Sequence, residues 1–139
     1  MIVARVAAVS LSRDSVLSLY AAVGWTAYTN DPDTLVAAIE GSTAIFTATD
    51  DGALVGLARV ISDGATICYL QDLLVHPASQ RRGIGTALVT AALAAFPAVR
   101  QKVLLTDDEP EQRAFYEALG FAEASALSTG VLRAFVRFD

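Results

Sequence analysis

The chain predicts an α/β fold of the α+β kind, a mixed, mostly antiparallel sheet flanked by helices. Three observations carry that expectation. Three β-rich runs, Thr43 to Thr49, Ala53 to Ser62 and Thr66 to Val75, are separated by "DDG" and "DGA", and Asp-Gly is a strong hairpin signal. Next comes "GTALVTAALAAF", rich in Ala and Leu with little polar face, which reads as a helix buried against the sheet. "VRQKVLLT" then returns to strand. A strand–helix–strand unit calls for a right-handed parallel crossover.

The remaining elements follow in order. Val3 to Val9 reads as a first strand. Asp14 to Val23 reads as a helix ended by Gly24 in a C-cap role. "NDPDTLVAAIEGS" is a short helix in which Asp31 can cap, Pro32 fits the first position and Gly41 the end. After the crossover, "PEQRAFYEALGF" is a helix with Pro110 near its start and Gly120 just past its end. Phe115, Ala118 and Leu119 form its apolar stripe, and Phe121 can fold back in the C-terminal contact. Val131 to Phe138 alternates apolar and polar residues, which predicts a closing strand. No repeat, low-complexity tract or linker interrupts the chain, so one domain is expected over residues 1–139.

Bulk properties bound the function. The 139 residues are 54% hydrophobic and 18% charged, a globular composition long enough to bury a core. The longest apolar stretch, Ala87 to Phe96, falls short of the roughly 20 residues a bilayer requires. Arg5 interrupts the first apolar run, and no signal-peptide layout follows. Cys68, the single cysteine, cannot form an internal disulfide and fits a reducing, cytoplasmic setting. A net charge of −5 and a pI near 4.7 argue against nucleic acid as a partner.

The densest positive charge lies in "SQRRGIGTAL", Ser79 to Leu88, between a predicted strand and a buried helix. A helix N-terminus leaves backbone N–H groups unpaired and attracts phosphate. Gly83 and Gly85 let the backbone approach an anion, and Arg81 and Arg82 can neutralise its oxygens. The same residues would also make a solvated basic turn. Leu88 stands where a dinucleotide fingerprint needs its third glycine, and the Gly-Lys-Ser/Thr of an NTP-binding loop is absent. A ligand with a different phosphate group is indicated.

Taken together, these stretches resemble the GNAT superfamily of acyl-CoA-dependent N-acyltransferases. "DLLVHPASQRRGIGTAL" is similar to that family's Gln/Arg-x-x-Gly-x-Gly pyrophosphate loop after its fourth strand, here Gln80 to Gly85. "RAFYEALGF", Arg113 to Phe121, resembles its late helix with a Phe-Tyr pair, and the element order matches over nearly the whole chain. The resemblance implies a GNAT-like sheet. It implies that Gln80 and the backbone of Arg81, Arg82, Gly83, Ile84, Gly85 and Thr86 bind the pyrophosphate of acetyl-CoA as co-substrate. It further implies that Leu73, Leu74 and Val75 offer backbone hydrogen bonds to the pantetheine arm, lying like an extra strand where two strands splay. Tyr116 stands where the family usually has the general acid that protonates the departing CoA thiolate. Glu109 stands where the family often carries an asparagine that helps hold CoA.

Residues outside those motifs leave alternatives open. In the almost continuously apolar "TICYLQDLLV", the period of two sends Gln71 and Asp72 to opposite faces. A buried carboxylate needs a partner, so Asp72 either anchors or deprotonates an acceptor ammonium or forms an ion pair with an arginine. Trp25 and Tyr28 lie in a region that commonly walls the acceptor site in the resembling family; packing is the other reading. Tyr116 without the family reads as a packed interfacial tyrosine. His76 reads as a solvated loop residue, and a lone histidine with a lone cysteine gives no zinc site, so no metal is expected.

These readings converge on an N-acetyltransferase moving acetyl from acetyl-CoA to a primary amine by direct attack. The alternatives are a non-catalytic acyl-CoA-binding sensor or regulatory module, or another enzyme using the same loop for a phosphate-bearing ligand. Acidic residues favour a small cationic amine as acceptor. A mean hydropathy of +0.47 is high for a soluble domain this small and points to a homodimer.

Overall fold

A computed structural model describes all residues 1–139. The chain packs as two compact units, Met1–Leu105 and Thr106–Asp139. In the first, strand β1 (Ile2–Val6) leads to helices α1 (Arg13–Ala22), α2 (Thr26–Thr29) and α3 (Pro32–Glu40). Strands β2 (Ala44–Asp50), β3 (Ala53–Ser62) and β4 (Ile67–Val75) follow, then α4 (Ile84–Ala94) and β5 (Gln101–Leu104). The second unit contains α5 (Pro110–Ala118). Strands lie in the order β1-β2-β3-β4-β5; the first three pairings are antiparallel and β4–β5 is parallel. The mixed, mostly antiparallel sheet is therefore present.

Local chemistry explains the connections. Asp51 (φ 48°) and Gly52 (φ 81°) occupy the two left-handed positions of the β2–β3 turn, the conformation that matches hairpin twist. In the β3–β4 turn the Thr66 hydroxyl and the N–H groups of Ala65, Thr66 and Ile67 all donate to Asp63, holding its carboxyl well below the usual range. Ser12 caps α1 through the Ser15 N–H, and Asp31 caps α3 through Thr34, with Pro32 at its first position.

The sheet is covered on both faces. Leu57 and Leu74 pack with Val16, Leu19, Leu35 and Ile39 from α1 and α3. Gly56, one residue from Leu57 and so on the opposite face, lies under α4. A Cβ there would come within 3.0 Å of Ile84 Cγ2 and Leu88 Cδ1, so only the bare glycine lets α4 settle this close to the strands.

Three expectations need correction. The first strand ends at Val6 rather than Val9, because Ser10 turns back to donate both its N–H and its hydroxyl to the Ala7 carbonyl, a local bond that competes with the ladder. The fifth strand is confined to Gln101–Leu104, the residues that find partners on β4. Val131 to Phe138 forms no strand. Alternation describes a half-buried ribbon, but a strand also requires a neighbouring edge for its backbone groups. Apart from the Leu132 N–H, which donates to the Ala124 carbonyl at 2.8 Å, this segment has no such pairing, and all its residues are exposed.

Candidate functional site

β4 carries an irregularity at its centre. Arg59 pairs with Asp72 and Val60 with Leu70, so Gln71 is an extra residue with no partner on β3, a β-bulge. This overturns the expectation that Gln71 and Asp72 point to opposite faces. Both side chains reach the Tyr28 hydroxyl: Asp72 Oδ1 accepts from it at 2.8 Å, and Gln71 Nε2 donates to it at 3.4 Å. The parallel ladder to β5 ends at Leu70–Leu104, the residue before the bulge. Bulges bend a strand and sharpen its twist, and from Gln71 to Val75 the β5-facing edge of β4 has no strand partner. Leu73, Leu74 and Val75 lie along this open edge.

The chain then runs directly into the glycine-rich turn. His76 Nδ1 accepts the Ala78 N–H at 3.2 Å, which makes it a cap for the short turn Pro77–Ser79. Gln80 Nε2 donates to the Val75 carbonyl at 3.2 Å, tying the loop to the end of β4. Arg81 adopts a left-handed φ of 61° and Gly83 one of 78°, a costly conformation for arginine and an easy one for glycine. Gly83 is the N-cap of α4 and supplies no side-chain cap. The first N–H groups of α4, at Ile84, Gly85 and Thr86, therefore emerge without a side-chain acceptor, at the positive end of an eleven-residue helix. Arg82 is engaged by Asp50 (Nη1–Oδ2, 2.8 Å), while Arg81 is exposed.

Asp72 sits at the centre of a buried polar cluster. Its side chain is 3% exposed, and Arg59, 7% exposed, donates from Nε to Oδ2 at 2.8 Å. The Tyr20 hydroxyl donates to the same oxygen at 2.8 Å, and Tyr28 takes the other. Burial draws the Arg59 guanidinium down, but the adjacent carboxylate outweighs it and the net shift is upward. Tyr20 and Tyr28 are raised, first by burial, with Asp72 adding to the effect. Trp25 completes the cluster: its ring is 5.8 Å from Tyr20 and 6.1 Å from Tyr28. The structure thus brings Trp25, Tyr28 and Asp72 together. Tyr20 and Arg59 were not singled out from sequence, although Arg59 within "ALVGLARVIS" is the same signal that marked Asp72: a charge in an apolar strand.

Tyr116 belongs to the second unit. It lies on α5 with its ring edge-on to Phe115 (5.0 Å) and Phe121 (5.9 Å). Its side chain is buried, and burial pushes the phenol up to about 12. Glu109 is the N-cap residue of α5 but makes no side-chain cap bond. Nowhere do three or more His, Cys, Asp or Glu cluster as metal ligands, and no helix is long and apolar enough to cross a membrane.

Comparison with known proteins bears on the family and the fold. None of the curated proteins matches the chain. A GNAT-family acetyltransferase from Streptococcus pneumoniae is 31% identical, with a TM-score of 0.85 and coverage of 99% of this chain and 97% of the other. An acetyltransferase of the same family from Xanthomonas campestris is 30% identical, with a TM-score of 0.72 and coverage of 98% and 94%. An aminoglycoside N-acetyltransferase solved with CoA shares the fold at 19% identity, with a TM-score of 0.68 and coverage of 99% and 98%. Residues 41–123, from the start of the meander through α5, match the description "Acetyltransferase (GNAT) domain". The open β4 edge, the glycine-rich turn and the uncapped α4 all fall within that match, and the chain belongs to the GNAT acetyltransferase family.

Proposed function

We propose that this acetyltransferase moves the acetyl group of acetyl-CoA to the nitrogen of a small cationic primary amine by direct attack, as one GNAT domain in the cytoplasm and as a homodimer. The observation that carries the reading is the bulge at Gln71, where the β4–β5 ladder stops and an unpaired strand edge leads straight into an uncapped helix start. An extended amide-bearing arm can add to such an edge as a strand does. A pyrophosphate can take the N–H groups of Arg81 to Thr86, with Gln80 bracing the loop and the arginines supplying charge. The residues present fit the group.

Acetyl-CoA supplies an activated thioester, and the chain's part is positioning and charge. Backbone N–H groups beside the bulge can stabilise negative charge developing on the carbonyl oxygen. The neutral amine attacks the carbonyl carbon, so the N–C bond forms and the C–S bond breaks with its electron pair on sulfur. Tyr116 gives its phenolic proton to that thiolate, the amine's surplus proton leaves to solvent, and the phenolate recovers a proton from solvent to close the cycle. A phenol raised by burial keeps its proton at neutral pH, as a general acid must. We assign Trp25, Tyr28 and Asp72 to the acceptor side. Tyr28, like Trp25, is half-buried, and an ammonium displacing its hydroxyl would reach Asp72 Oδ1. The net charge of −5 favours a cationic acceptor, and the aminoglycoside acetyltransferase of the same fold performs N-acetylation on such a scaffold.

The test is CoA release over an amine panel, followed by Tyr116→Phe on the best acceptor. The ring and its packing are kept, so acetyl-CoA affinity and melting temperature stay put while kcat falls about tenfold or more. A non-catalytic sensor predicts no release with any amine. Wild-type turnover in Tyr116→Phe, where chemistry limits the rate, would remove the acid from this mechanism.

A further inference from the structure

The extra residue at Gln71 changes which residues of β4 share a face with Asp72. The paired Leu57 and Leu74, and the paired Arg59 and Asp72, lie on the face that α1 and α3 cover. Past the bulge, Val60 meets Leu70 and Ile61 meets Tyr69. Alternation from Arg59 therefore puts Ile61 and Tyr69 on the Asp72 face, with Val103, the parallel partner of Tyr69 on β5, beside them. In an unbroken strand Tyr69, three residues from Asp72, would point the other way. Burial, and after it the Asp72 charge, raise the Tyr69 phenol, as that neighbourhood requires. None of the three belongs to the core cluster built with α1 and α3. Ile61 is 41% exposed, and Tyr69 and Val103 are half-buried. An apolar strip thus runs on from the one carboxylate of the cluster, on the side away from Leu74.

We infer that Ile61, Tyr69 and Val103 hold the body of the acceptor, so that the favoured substrate is a primary amine carrying an aromatic ring or similar apolar group on a short alkyl spacer. The spacing selects this class. With the amine nitrogen at Asp72 Oδ1, the strip begins two ladder steps back along the strand, roughly 6–7 Å away. A spacer of about two or three carbons covers that distance between nitrogen and ring. A ring laid there removes apolar surface from water, and the Tyr69 ring adds aromatic contact. The second ammonium of a polyamine would meet the same three side chains, with no carboxylate among them, and would lose hydration for nothing in return. The strip therefore discriminates by what the amine carries, whereas Asp72 recognises only that it is an amine. The inference rests on the acetyl transfer and the Asp72 assignment proposed above and sharpens the acceptor.

The test measures kcat/KM for 2-phenylethylamine, ethylamine and 1,4-diaminobutane, with acetyl-CoA Kd alongside, in the wild type, Ile61→Ser and Ile61→Ser/Tyr69→Ser. Rates are expressed per neutral amine, so that differences in basicity drop out. The wild type is expected to favour 2-phenylethylamine over both other amines by at least about tenfold. The double variant should lose most of that preference while ethylamine kcat/KM and acetyl-CoA Kd stay within about twofold of wild type. A merely structural role would lower all three amines alike and leave their ratio unchanged, which overturns the assignment of the strip. A wild type that turns over ethylamine or 1,4-diaminobutane as well as 2-phenylethylamine overturns the apolar acceptor and leaves acetyl transfer to amines standing. No CoA release with any amine overturns both. Should the double variant not fold, the exposed Ile61→Ser decides: a preference reduced about threefold supports the inference, and an unchanged one overturns it.

Discussion

Three donors converge on the Asp72 carboxylate, and they set what a substitution there does. Asp72→Asn leaves the Arg59 guanidinium buried beside a neutral amide, and breaking a buried pair from one side costs about 3–5 kcal/mol. A lowered melting temperature is expected, with a raised amine KM and unchanged acetyl-CoA affinity. Preserved activity per folded molecule would restrict Asp72 to holding Arg59, Tyr20 and Tyr28 in place. Tyr116 makes a second expectation at this scale. With its phenol at about 12, it contributes no falling limb to the rate between about pH 7 and 10, so kcat/KM should climb with the acceptor's own deprotonation; a pH–rate profile in which Tyr116→Phe keeps the same shape at lower amplitude checks this. Asp72 was legible because a carboxylate breaks an apolar strand. Its partners were not, since Arg59 lies thirteen residues away and faces Asp72 only through a register that skips Gln71.

For elements, the turn before α4 is the critical piece. Gly85 stands in the first turn of that helix, among the N–H groups assigned to the pyrophosphate. Gly85→Val puts a branched side chain where the anion approaches while tolerating the helical backbone, so acetyl-CoA Kd should rise at least tenfold, about 1.4 kcal/mol. Calorimetric titration with a matched circular dichroism spectrum measures it, and unchanged affinity would dissociate the turn from the ligand. Helices α3, α4 and α5 and strands β2 to β4 were legible within a residue or two, because caps, Asp-Gly turns and an uninterrupted Ala/Leu run are local signals. α2 was not: four residues carry too few apolar positions to display a helical period. The bulge was equally invisible, since it exists only in the pairing of two strands.

At the scale of the whole molecule, folding couples to alkaline pH. Burial raises Tyr20, Tyr28, Tyr69 and Tyr116 above their ordinary 10.0. Raised groups contribute stability that is complete below the unfolded value and is lost as pH climbs through the folded one. Stability should thus hold to about pH 10 and fall steeply toward 12 and above. Denaturant midpoints across that range measure the fall, and Tyr116→Phe should flatten part of it. The mixed, mostly antiparallel sheet was legible in the meander and the crossover, whereas the unpaired C-terminal segment was hidden, because a strand-like pattern reports what a segment could pair with and never whether a partner is at hand.

Gln71 has one more implication. On either side of it the β3–β4 ladder is in step: Leu70 and Asp72 already occupy the alternate faces that adjacent residues of an uninterrupted strand would occupy. A chain one residue shorter at this point should keep the alternation of core side chains along β4 and would lack the extra residue at which the β4–β5 ladder stops. The proposed capacity to admit a donor is in that sense arithmetic. It is written in the length of β4, where an exchange of one amino acid for another leaves it intact and a three-nucleotide loss erases it.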